Sequence, residues 1–242
     1  MKTTSAEIKR LARENLTHRY GIPMAAMVVT ELITMVLLLP FSWNITPQSS
    51  VRELTIYYVA SFVISLLGVV LSVGRIVIAL RMARKQEYRF GDMFYGFLHH
   101  SDRYILATLL LTAICLIPAV PVVAVSALVM VYDGIAAKLV LAVVILLFAI
   151  AEIVLTMQYA LVFYLLIDHP KMKLVEAFRV SRERMRGNKG RLFYICLSFL
   201  GWGVLAALSF GIGYLWIGPY MIQTQVGFYL DVVGEPAQSE PE

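Results

Sequence analysis

Charge is scarce in this chain of 242 residues: Asp, Glu, Lys and Arg together make up 15% of it, where soluble domains carry about a quarter. With 60% apolar side chains and a mean hydropathy of +0.76, a water-soluble domain, a disordered chain and a nucleic-acid binder built on a polar core are all excluded. Cysteine is equally thin. Cys115 and Cys196 both sit inside apolar runs, which excludes a disulfide scaffold and reads as two small buried hydrophobes. No CxxC or His/Cys spacing is present, so neither a metal nor a cofactor is expected. GxSxG, HExxH and a phosphate-cradling glycine loop are also missing, and the chain is not expected to be an enzyme. His99-His100 with Asp102, and Asp168-His169, are the nearest approach to an acid/base set. Adjacent histidines on a helix point about 100° apart and chelate poorly, so these read as surface loop residues.

What the chain has instead is long apolar runs. About 20 apolar residues cross a hydrocarbon core of about 30 Å as a helix, the form that satisfies its own backbone there. Six stretches qualify: Ile22 to Leu39, Leu54 to Leu80, Tyr104 to Tyr132, Ile135 to Ile167, Leu192 to Ser209 and Gly213 to Leu230. The last two form one block from Leu192 to Leu230, which as a single helix would be about 58 Å long, twice what a bilayer needs. A break is therefore expected at Phe210-Gly211-Ile212-Gly213, where two glycines permit a turn. Pro118 and Pro121 interrupt the third run.

The basic residues orient these spans. Eighteen of 21 Lys and Arg fall in three segments, the N-terminus, Arg81 to Arg103 and Asp168 to Arg191; the opposite side keeps Arg52 and Lys138, and Arg75 lies within a span. The positive-inside rule then puts both termini in the cytoplasm of a multi-pass plasma-membrane protein.

Each apolar hairpin follows a short charged segment that reads as an amphipathic cytoplasmic helix. Thr4 to Glu7 suits a capping box ahead of the apolar face Ile8, Leu11, Ala12 and Leu16. The second segment lies around Phe90 to Leu98, and the third, Lys171 to Arg186, sets Leu174, Val175, Phe178 and Met185 against a basic face, ready to lie along the inner leaflet. The expected fold class is thus all-α: a polytopic membrane helix bundle of about six transmembrane helices in three hairpins. Residues 1–230 form one membrane domain, and 231–242 a short, acidic, disordered cytoplasmic tail.

The last third carries a distinctive pattern: Glu176-Ala177-Phe178, Ser181, Met185-Arg186-Gly187-Asn188-Lys189 and Arg191-Leu192-Phe193, then Leu197 to Trp202, Gly211-Ile212-Gly213, Leu215-Trp216, Pro219-Tyr220 and Phe228-Tyr229. This resembles the bacterial integral membrane family catalogued as domain of unknown function nine-seven-five. The likeness extends less densely over Ala6 to Leu16, the second charged segment, Ile117-Pro118 and Asp168-His169-Pro170, with Ala119 and Asn188 as departures from the family's usual glycine and histidine. The resemblance implies a multi-span bacterial plasma-membrane protein and supplies no catalytic residue.

Three ionisable residues fall within spans, Glu31, Arg75 and Glu152; such groups are costly in hydrocarbon and become buried-site candidates. Ser61, Ser65, Gly68, Ser72 and Arg75 share one helical face, and Glu31 lies within about 6 Å of Arg75 in depth. One reading is a Glu31–Arg75 ion pair with a neutral Glu152. The other is a substrate or proton pathway lined by all three. A second candidate set is basic: Lys171, Lys173, Arg179, Arg182, Arg184, Arg186, Lys189 and Arg191 beside two membrane boundaries, suited to anionic lipid headgroups. The expected function is a non-enzymatic membrane component organising lipid or a membrane-protein partner through these helices, without nucleic acid; the alternative is a small transporter or channel. Oligomeric state is not legible.

Overall fold

The computed structural model describes residues 3–43, 45–46, 48–132 and 134–235. Among them the regular structure is helical and no strand occurs. The helices are α1 (Ser5–Leu16), α2 (Gly21–Ser42), α3 (Val51–Ala83), a 3-10 turn (Phe90–Phe94) running into α4 (Tyr95–Leu98), α5 (Ser101–Leu116), α6 (Ala119–Val131), α7 (Ile135–Gln158), α8 (Val162–Asp168), α9 (Leu174–Arg184), α10 (Lys189–Leu197), α11 (Leu200–Leu208) and α12 (Tyr214–Val233).

Four stretches are long and apolar enough to cross a bilayer: α2, α3, Ile135–Asp168 (α7 with α8) and Lys189–Leu208 (α10 with α11). The pair α5 and α6, bent by 43°, makes a fifth if it is one span. Pro118 explains the bend, because it has no N–H to continue the ladder. The sixth expected span, now α12, is not among them: Gln223, Thr224, Gln225 and Asp231 dilute its hydropathy. The expected break between α11 and α12 is present, with Phe210 at φ 53° and Gly211 at φ 85°. The second charged segment is a 3-10 turn and one turn of α-helix, not a full amphipathic helix.

Local signals set several helix ends. The Thr4 hydroxyl accepts from the Glu7 N–H at 3.2 Å to start α1. At α3 a full capping box forms: Ser50 Oγ accepts from the Glu53 N–H at 3.3 Å, and the Glu53 carboxylate accepts from the Ser50 N–H at 2.7 Å, satisfying two otherwise orphaned donors.

Packing is concentrated at one end of the molecule. α3 is 33 residues long, about 50 Å at 1.5 Å per residue, yet its buried residues begin only at Val70. Through Val73, Val77, Leu80 and Met82 it joins the main core with Ile8 and Leu16 of α1, Val162 to Ile167 of α8, Phe178 of α9 and Phe228 to Leu230 of α12, and through Leu71 and Ile78 a smaller one with Ala26 of α2 and Met93. This is the packed end. α6 and α7 bury no residue at all, and they form much of the splayed, apolar end. The 3-10 turn and α4 lie directly on α3: a Cβ on Gly74 would sit 2.0 Å from the Met93 carbonyl oxygen, and one on Gly96 would sit 2.4 Å from that of Val70. Only glycine allows backbones that close.

α12 runs past residue 230 to Val233 and stops at Gly234, φ 85°. The rest of the expected tail, residues 236–242, lies outside the described residues.

Candidate functional site

Arg75 and Glu31 are brought together, with Nη1 of Arg75 3.6 Å from the Glu31 carboxylate. The pair is lopsided: Arg75 has a side chain only 19% exposed, whereas Glu31 is 64% exposed. Glu31 lies on the outward-facing side of α2. Thr30, its neighbour on α2, turns inward and is buried, and the helical step of about 100° carries Glu31 to the outer surface. Glu152 stands apart on α7. Its Oε1 is buried without a hydrogen-bond partner among the described residues, and its neighbour is the Cys115 thiol on α5. A cavity of about 10 Å³ beside Arg75 is lined by Leu16, Ala26, Pro219 and Gln223 among others, and by neither Glu31 nor Glu152.

The eight basic candidates divide into two groups. Lys171, Lys173, Arg179, Arg182, Arg184 and Arg186 are exposed, and among the described residues none of the six enters an ion pair. Lys189 and Arg191 are half-buried and turn toward partners within the protein. Lys189 Nζ donates to Gln158 Oε1 at 2.8 Å. Arg191 pairs with Asp231 and lies over the Phe228 ring, 4.9 Å from its centroid. Both are partly screened because α10 rises into the bundle, past the end of α7 and beside α1.

The apolar face of α9 is also used differently from expectation. Ala177, Phe178 and Ser181 are buried, the Phe178 ring meets Tyr159 at 5.3 Å, and Ser181 Oγ donates to the Gln158 carbonyl at 3.0 Å. Val175, expected on that face, is 75% exposed. The apolar face docks on the protein, so it is not available to insert in a leaflet, and the basic face is what remains outside.

A polar cluster absent from the sequence reading ties the packed end together. Arg84, just past α3, donates through Nη1 and Nη2 to Asp168 at 2.8 and 2.7 Å and through Nε and Nη2 to Glu235 at 3.0 and 2.8 Å. Tyr229 donates to the same Asp168 at 2.7 Å. Hydrogen bonding to Asp168 outweighs burial and holds the Arg84 guanidinium well above its ordinary range. Nearby, Asp231 accepts from the Thr3 N–H at 2.9 Å. Burial alone would raise its carboxyl, but Thr3 and Arg191 together hold it below the usual value. The aspartate of Asp168-His169-Pro170 was visible as part of a motif; Arg84 and Glu235 were not, because nothing in one sequence announces a contact across 151 residues.

These features define an all-helical protein with several helices able to span a membrane and a polar-laced packed end. The chain belongs to the family described as Protein of unknown function (DUF975), whose model matches residues 1–235. No curated protein and no solved structure matches it.

Proposed function

We propose that this is a non-enzymatic, multi-pass component of the bacterial plasma membrane that gathers anionic lipid, and through it membrane-protein partners, on the basic face of α9. The observation that carries this reading is the set of six exposed cations without acidic partners on or beside a helix whose apolar face is already docked. Each basic residue near an anionic surface contributes about 1 kcal/mol, screened by salt. Both termini and the packed end lie on the cytoplasmic side, following the distribution of basic residues. The proposed bundle has six spans in three hairpins, supported by the packing of α2 along α3, α6 along α7 and α11 along α12. The transporter alternative asks for a cavity lined by Glu31, Arg75 and Glu152 together. The cavity at Arg75 includes neither carboxylate, which favours the lipid reading.

The test uses the full chain in nanodiscs of mixed neutral and anionic phospholipid. Wild type should retain anionic lipid in a salt-dependent manner. Replacing the six exposed cations by glutamine should abolish that enrichment with the fold intact, and unchanged enrichment would refute the reading.

A further inference from the structure

Gln223 of α12 is 2% exposed, at the packed end. Its Nε2 has no hydrogen-bond partner among the described residues, and neither does Nε of Arg75. Two buried donors in one region, both lacking an acceptor, are costly unless something supplies one. The two groups line the same cavity of about 10 Å³. On its other side Gln223 lines a second cavity of about 10 Å³, shared with Thr3, Asn15 and Asp231. Asn15 is itself buried, a polar residue on the inward face of α1.

We propose that the packed end contains two buried water sites separated by the Gln223 side chain, and that they hydrate Arg75 from the α1–α12 side. Each cavity has the volume of about one water, and a water held there needs two to four polar partners. In the first, the water oxygen accepts from Arg75 Nε–H and Gln223 Nε2–H, which answers both orphaned donors at once. In the second, Asn15, Gln223 and Asp231 supply the polar walls. The file then runs from Thr3 and Asp231 past Asn15 and Gln223 to Arg75, and ends at Glu31. The Arg75 charge is thereby solvated within the packed end. Arg75 already has the Glu31 carboxylate as its counter-charge at 3.6 Å, so the site calls for a small neutral acceptor, and water is that ligand. This inference is independent of the lipid reading, since it concerns neither α9 nor its cations.

Water-edited solid-state NMR on the full chain in bilayers, with arginine and glutamine side-chain nitrogens labelled, tests the proposal directly. The side chain of Arg10, on the surface of α1 and 52% exposed, serves as the internal control for water contact. In wild type, magnetisation from water should reach Gln223 Nε2 and Arg75 Nε. Gln223→Leu should remove the transfer to Arg75 Nε, and Asn15→Leu should weaken it at Gln223 while sparing Arg75. A wild-type spectrum with no transfer to either nitrogen, at mixing times that saturate Arg10, would overturn the proposal without any variant. Undiminished transfer to Arg75 Nε in Gln223→Leu would also overturn it, because the water would then arrive from the Glu31 side.

Discussion

α7 and α8 are consecutive and form one apolar stretch, Ile135–Asp168, yet they have opposite fates. α7 buries none of its 24 residues, whereas α8 buries Val162 and everything from Tyr164 to Ile167. Hydropathy does not separate them. What separates them is the availability of partners: α8 meets α3, α5 and α9, while α7 leaves leucine, isoleucine and valine side chains on the surface. In water such a surface would be an aggregation or docking patch. In a bilayer it is an ordinary solvated face, because lipid tails are as apolar as the side chains. The packed end is therefore held by contacts within the protein, and the splayed end by its solvent.

Glycines give the largest contrast. Gly74→Ala drives a methyl group into the Met93 backbone and should cost at least about 3 kcal/mol or prevent folding, at the severe end of overpacking. Gly201→Ala, on α11 at the splayed end with nothing within 4 Å of the new carbon, should be neutral or stabilise by up to about 1 kcal/mol through helix propensity. Thermal unfolding in matched detergent measures both, and equal effects would break the comparison between the two ends.

Next in size is the Arg84 cluster. Asp168→Asn removes the acceptor of a pair whose side chains are 23% and 12% exposed, and should cost about 2–3 kcal/mol, below the cost of breaking a fully buried pair because some solvent remains. Tyr229→Phe removes one charge-assisted hydrogen bond to the same carboxylate, worth about 1.5 kcal/mol. If the two mutations act through one network, their combined cost should fall short of the sum. Strict additivity would mean the tyrosine stabilises by packing alone.

Asp231 sharpens the comparison through pH. Its carboxyl is held below the ordinary value of 3.8 in the folded protein. The stability it contributes is therefore fully present above the unfolded pKa and is lost as pH falls through the lower folded one. Thermal stability should drop below about pH 4, and less so in Asp231→Asn. An identical acid profile in that variant would remove Asp231 from the account.

The smallest effect is expected at Glu31. An unpaired charge in hydrocarbon would cost at least about 2.5 kcal/mol, but the contact with Arg75 is long, at 3.6 Å, and loose pairs of this kind contribute about 1 kcal/mol or less. Glu31→Gln should shift stability by no more than that, with a small interaction energy in a cycle with Arg75→Gln. A loss above about 2 kcal/mol would mean Arg75 depends on that single partner.

The helices and their breaks were largely legible in the sequence because their causes are local. Gly211 and Pro118 punctuate, Thr4 caps, and apolar runs give length. The Glu31–Arg75 proximity was also legible, since helical depth can be counted along two adjacent spans. The end-to-end asymmetry was not. An apolar residue reads the same whether it faces lipid or a neighbouring helix, so Val162 and Val154 look alike until α3 and α9 are placed. The inward turn of Lys189 and Arg191 was hidden for a similar reason: a run of cations carries no mark of which members meet a carboxylate from a distant helix. Gln223, the first of three consecutive polar residues in an apolar block, was the available signal for the buried polar file, and its significance depends on Arg75 and Asn15 lying beside it.

The central claim is that lipid solvates one end and protein packing the other. Site-directed spin labels walked from Ile135 to Ile167 in bilayers test it directly through their contact with oxygen, which concentrates in lipid, and with a water-soluble nickel reagent. The account predicts high oxygen contact at exposed positions throughout α7, such as Leu139, Leu146 and Ile153, and occlusion from both reagents at Val162, Leu165 and Leu166. Occlusion along α7 would contradict it, because a protein partner would then be covering the splayed end; high oxygen contact at the α8 positions would contradict it as well, because the packed end would not be packed.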